Sequence, residues 1–109
     1  MKFSAETKNN TLLLHLSGDL IGENDGSNIV GTAADAVQNG VKKCIVNIAD
    51  LRYINSSGIG VLITILTKFR NKGGEVYLLN PSESVKKLLV ITKLNAIFQV
   101  IQSESEVAG

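Results

Sequence analysis

Leu12, Leu14 and Leu16 alternate with Leu13, His15 and Ser17, a period of two that predicts a strand over residues 11–17 with one strongly apolar face. A shorter run over residues 3–7 precedes it across Asn9-Asn10, and asparagines tolerate the left-handed conformations of a tight hairpin. Gly18-Asp19-Leu20-Ile21-Gly22 ends the second strand. Asn24 and Asp25 then offer N-caps for a helix to about Asn39, with Val30, Ala33, Ala34 and Val37 on one stripe and Gly40 as its stop. The β-branched run at residues 43–48 predicts a buried central strand, and residues 49–55 read as a connection. A second helix is expected from about Ser57 to Asn71, ending at Gly73-Gly74. Residues 75–79 read as a strand. Asn80-Pro81-Ser82 opens a third helix with the stripe Val85, Leu88, Leu89 and Thr92. Residues 96–101 read as a last strand, and Ser103-Glu104-Ser105-Glu106 as a helix start. Strands alternating with helices imply crossover units and a mostly parallel α/β sheet, in which only the first pair can form a hairpin.

Composition narrows the function. The 109 residues fit a single domain, and 44% hydrophobic with 19% charged residues describes a globular chain. Eleven basic against ten acidic residues leave a net charge of +1, without the basic excess of proteins that bind nucleic acid through its phosphates. The single cysteine, Cys44, excludes an internal disulfide and cysteine-based zinc motifs, and its apolar neighbours Ile45 and Val46 suggest a packed thiol. His15 is the only histidine, so it has no second imidazole for a metal pair and reads as an exposed or satisfied strand residue. The apolar run at residues 59–66 is too short to span a bilayer, and no signal peptide is visible, so a cytoplasmic location without membrane contact is expected.

The informative stretch is residues 48–62. A strand leads into a helix whose first residues are serine and glycine, and Asn55, Ser56 or Ser57 can cap it. The start of a helix carries partial positive charge, which suits a phosphate on a serine there. At about 100° per residue, Ile59, Leu62, Ile63, Leu66 and Phe69 form the stripe expected to face the sheet. Val61 falls nearly opposite, beside Ser57, Thr64 and Lys68, and is expected to be an apolar residue the core does not need: a hint of a docking face. Gly58-Ile59-Gly60 lacks the third glycine of a dinucleotide loop and the Gly-Lys-Ser/Thr of a phosphate-binding loop. No Gly-x-Ser-x-Gly elbow occurs, and no catalytic role or cofactor is implied. Lys86-Lys87 reads as a solvated face or a contact for an acidic partner, and Tyr53 and Tyr77 as packing residues.

Asp50-Leu51 through Asn55-Ser56-Ser57-Gly58-Ile59-Gly60-Val61-Leu62 resembles the signature of STAS domains, specifically the bacterial anti-sigma factor antagonists, which commonly read Asp-Ser-Ser-Gly-Leu-Gly. Leu16-Ser17-Gly18-Asp19-Leu20, Gly73-Gly74-Glu75-Val76 and residues 82–94 extend the resemblance over nearly all of the chain. It implies one domain over residues 1–109, with a four- to five-stranded mixed sheet, helices mainly on one side, and a C-terminal helix that is short or absent. It also implies partner switching. The unphosphorylated domain would bind a serine kinase of the histidine-kinase-like ATPase type that doubles as an anti-sigma factor. Phosphorylation of Ser56, the first serine after the motif's acidic position, would release it, and a metal-dependent serine phosphatase would reset it. Ser57 is then expected as a cap, and Asp19, Glu23, Gly60, Val61, Thr64 and Lys68 as partner-facing residues.

Three departures accompany the resemblance. Asn55 stands where the family has an acid, and keeps the capping group without the charge. Ile21 stands where an acid often follows the Gly-Glu-Leu segment, with Glu23 nearby. The C-terminal helix of fuller family members is expected to be short or missing. An alternative within the family is a constitutive scaffold subunit of a transporter or stress-signalling complex, and a more distant one is nucleotide binding at the helix start.

Overall fold

The computed structural model describes residues 2–21 and 24–103. In chain order they form β1 (Lys2–Lys8), β2 (Thr11–Leu20), α1 (Asn24–Gln38), β3 (Lys43–Ile54), α2 (Ser56–Arg70), β4 (Glu75–Leu79), α3 (Glu83–Ile91), a 3-10 turn (Leu94–Ala96) and β5 (Gln99–Ile101). The five strands lie in one sheet in sequence order. β1 and β2 are antiparallel and every other neighbouring pair is parallel. Asn9 and Asn10 both take positive φ, 52° and 61°, the twist a two-residue hairpin needs. The remaining helices and segments are return crossovers between parallel strands.

Alternation divides the sheet's two faces. Leu12, Leu14 and Leu16 of β2, Cys44, Val46 and Ile48 of β3, and Val76 and Leu78 of β4 share one core with buried residues of all three helices. Ile45, Leu79 and Ile101, flanked by Leu13 and Tyr77, form a smaller cluster separate from it. The helices thus cover one face, as expected for the fold. The expectation for a C-terminal helix falls on residues 104–109, outside the described residues.

β3 differs from its expected length. It continues through residues 49–54, where a connection was expected, because β2 keeps pairing with it as far as Leu20↔Ile54. Two register shifts, between His15 and Ser17 and between Gly18 and Asp19, carry this extension, and Gly18 absorbs a φ of 89°. β4 pairs with β3 only up to Asn47↔Leu79, so the ends of β2 and β3 project past it to the start of α2. β5 is shorter than expected because Lys93, at φ 61°, turns the chain into the 3-10 segment first.

The buried face of α2 is rotated from the expected stripe. Val61, Leu62, Ile65, Leu66 and Phe69 are buried, whereas Ile63 is exposed and Ile59 half-buried. The reason is a second neighbour. α2 packs against α1 as well as the sheet, and Val61 lies so close to α1 that a Cβ on Gly26 would meet its Cγ2 at 2.8 Å. Val61 is therefore core, not a spare apolar residue on a docking face. The same contact draws Ile29 and Ala36 of α1 into the core with Ala33, leaving Val30 and Val37 packed at its margin and Ala34 half-buried.

Cys44 is fully buried, and desolvation pushes its thiol up from 9.0 to about 12. Unfolded chains ionise this thiol at lower pH than folded ones, so they bind fewer protons above pH 9.0 and folding weakens there. We expect this contribution to be flat below pH 9.0 and to be lost as pH rises toward about 12, a decline that urea titrations should find reduced in Cys44→Val. The rotation of α2 makes a second prediction. Val61→Ala should lose about 1 to 3 kcal/mol of stability, while Ile63→Ser should stay within about 0.5 kcal/mol of the parent, both read from urea denaturation.

Candidate functional site

The site is assembled where β2 and β3 end together. Asn55 leaves the extended conformation of β3 at φ −96° and ψ −177° and becomes the N-cap of α2. Its Oδ1 accepts a hydrogen bond from the Gly58 N–H at 2.8 Å. Its own N–H donates to the Leu20 carbonyl oxygen at 3.3 Å. The same carbonyl lies against Gly58, where an added Cβ would sit 2.2 Å from the oxygen. Glycine is required at this position by that approach, which pins the first turn of α2 on the end of β2.

Ser56 and Ser57 are the first two residues of α2, and both are exposed. Asn55 alone supplies the side-chain cap, so the expectation that Ser57 caps the helix is corrected. Asparagine wins because it occupies the last extended residue, from which a side chain reaches back to the third helical N–H, while Ser57 is already inside the first turn. The helix has no acidic residue in its first turn, so nothing on α2 itself offsets the partial positive charge of the end bearing Ser56, while Lys68 and Arg70 complement its other end.

Of the expected partner-facing residues, Gly60, Thr64 and Lys68 follow Ser57 at helical spacing down one side of α2; Ser57, Gly60 and Thr64 are exposed and Lys68 half-buried. Beyond its chain neighbours and the helix's own backbone, no heavy atom lies within 4 Å of a Cβ built on Gly60, so the backbone here is open to close approach. The Thr64 hydroxyl donates to the Gly60 carbonyl at 2.8 Å. Val61 leaves this set because it is buried, and Glu23 lies outside the described residues. Asp19 is brought to the site by β2 and accepts from Arg52 at 3.5 Å.

Three features near the site escaped the sequence reading. Arg52 stands across from Asp19 because the bulged register sets Asp19 opposite Tyr53. Tyr53 is 50% exposed and Ile21 46%, so Tyr53 is not a packing residue. His15 is satisfied, as expected, and its partner is Asp50 at 2.9 Å, on the strand extension that the sequence reading treated as a connection. Among the described residues, no group of three metal-ligating side chains converges, and no helix is long and apolar enough to cross a membrane.

The fold that carries this arrangement is shared with known proteins. The chain belongs to the STAS-domain family, whose model matches residues 2–107. A Thermotoga maritima protein, named as a candidate anti-sigma factor antagonist, is 30% identical over 70 residues, which are 64% of this chain and 62% of that relative. Among solved structures, the anti-sigma factor antagonist SpoIIAA in its unphosphorylated form superposes with a TM-score of 0.76 at 24% identity, covering 98% of this chain and 94% of the other. The phosphorylated form of SpoIIAA, a Bacillus cell fate determinant, gives 0.77 at 24% identity, covering 97% and 96%. These structural likenesses establish a common fold.

The two glycines of the turn are predicted to respond oppositely. Gly58→Ala should cost about 2 to 3 kcal/mol, because backbone oxygen cannot retreat from the new methyl. Gly60→Ala should be neutral or gain up to about 1 kcal/mol of helix propensity. Asn55→Ala should lose about 1 kcal/mol of capping, with Asn55→Asp restoring it. Thermal and urea unfolding of the four variants checks the order.

Proposed function

We propose that this domain is an anti-sigma factor antagonist that switches partners through phosphorylation of Ser56. The observation that carries the reading is the division of labour at the start of α2. Asn55 holds the helix end, leaving Ser56 exposed at the first helical position without a capping duty. A phosphate there would add about −1.5 to −2 charges beside helix N–H groups. Within the domain that charge is favourable. Inside an interface it would be desolvated and would repel acidic groups of the partner. A loss of about 3 kcal/mol of binding would reduce affinity more than about a hundredfold. The chain superposes equally well on both phosphorylation states of SpoIIAA, in keeping with a switch that acts at the surface rather than by refolding.

The partner in this reading is a serine kinase of the histidine-kinase-like ATPase type acting as an anti-sigma factor, with a metal-dependent serine phosphatase resetting the switch. The binding face is the start of α2 with its Ser57, Gly60, Thr64 and Lys68 side, together with Asp19 near the end of β2. The domain contributes no catalytic group. Because Asn55 is uncharged, the attacking Ser56 hydroxyl and the incoming phosphate meet no carboxylate from the neighbouring residue.

The test is a paired capture from the native cell with wild-type, Ser56→Ala and Ser56→Glu domains as baits and partners identified by mass spectrometry. A serine kinase held by wild type and Ser56→Ala but lost with Ser56→Glu is the expected result. ATP should release it from wild type and leave it on Ser56→Ala. The same partners on all three baits would contradict the switch and support a constitutive scaffold.

A further inference from the structure

α3 carries two apolar faces, and the fold uses one. Val85 and Leu89 are buried in the main core. Val90 and Ile91 are 61% and 75% exposed, the two most exposed large hydrophobic residues among those described. With Lys86 and Lys87 they line a shallow groove. Spacings of one, four and five residues put these four on one side of the helix.

The charges around this groove are mostly basic. Lys93 follows it closely, and no aspartate or glutamate occurs between Glu83 and Glu104. Glu83 lies 3.6 Å from Lys86 and is itself largely exposed, a weak restraint on that lysine. In a chain whose net charge is only +1, three lysines without an intervening acid mark a local basic surface. The two β-branched residues lower the helix propensity of a nine-residue helix, and the core does not require them.

Topology places this surface away from Ser56. α2 starts where β3 ends, at the C-terminal edge of the parallel strands. α3 starts at the same edge, where the Ser82 hydroxyl donates to the Leu51 carbonyl at 3.4 Å. Because β4 and β5 are parallel, α3 must run back toward the opposite edge, so Val90 and Ile91 are at its far end.

We infer that this groove docks an acidic amphipathic segment of a partner protein. Carboxylates of the segment meet Lys86, Lys87 and Lys93, and its apolar side chains cover Val90 and Ile91. A charged surface of this kind steers an oppositely charged partner, and the apolar pair supplies the contact that holds it. Two aliphatic side chains on a short helix bury too little area to hold a bilayer, which favours a protein segment. The position at the opposite edge makes this contact independent of the state of Ser56. The inference stands apart from the proposed function, since it rests on α3 alone.

The test uses a fluorescein-labelled synthetic peptide with a leucine stripe flanked by glutamates, a sister peptide with lysines in place of the glutamates, and phosphatidylglycerol vesicles. The glutamate peptide should bind the whole chain, weaken with added salt, and shift amide resonances of residues 86–93. Ile91→Ser and Lys87→Glu should each reduce affinity at least about tenfold, with Ser56→Glu unchanged. Equal binding of both peptides, shifts centred elsewhere, no binding, or association with the vesicles in place of the peptide would overturn the assignment. So would self-association of the free chain through α3.

Discussion

The Leu20 carbonyl oxygen is the point on which the site depends. It accepts from the Asn55 N–H and lies against the bare Cα of Gly58, so one atom at the end of β2 fixes both the last residue of β3 and the first turn of α2. That contact exists only because β2 and β3 run on together past β4, and they do so through two register shifts and the positive φ of Gly18. The exposed serines are therefore held on a rigid strand–helix junction rather than on a loop. A fixed position matters if, as proposed, this surface is read in two chemical states. A flexible acceptor would present its added charge in no fixed place.

Local chemistry was legible in the sequence where a residue acts through its own backbone or its own side chain. Asn9-Asn10 predicted the hairpin, the leucine alternation predicted the covered face of β2, and residues 75–79 were read as a strand with the observed limits. Asn55 was among the expected caps because its side chain can reach the N–H groups of the next turn. What escaped depended on neighbours distant in sequence. The phase of α2 moved because α1 packs beside Val61, a contact that no single-helix periodicity contains. The extension of β3 escaped because a bulge resets the alternation at Ala49 and Asp50, which then reads as irregular. Leu51 and Ile54 are nonetheless buried.

The correction at Val61 sharpens the functional picture. With Val61 in the core, the row Ser57, Gly60, Thr64 and, further along, Lys68 on α2 is made of small or polar residues, with the exposed Ile63 beside it. Such a low surface lets another backbone come close, and it makes added charge at Ser56 the dominant change a partner would sense. Exposed apolar area near the site comes instead from Ile21 and Tyr53, beside the Asp19–Arg52 pair. Asn55 and Gly58 keep the helix in place, and in the proposed reading Ser56 is left to carry the signal, so that stability and signalling would occupy different atoms of the same turn.

The central claim is that this junction carries a phosphate without loosening. Amide hydrogen exchange, compared between the unmodified chain and a semisynthetic chain bearing phosphoserine at position 56, tests it most directly. The account predicts unchanged protection across β2, β3 and the buried side of α2, with differences confined to the amides of the first α2 turn. Loss of protection spreading through α2 into its contact with α1 would show that phosphate acts by unfolding the site, and would contradict the account.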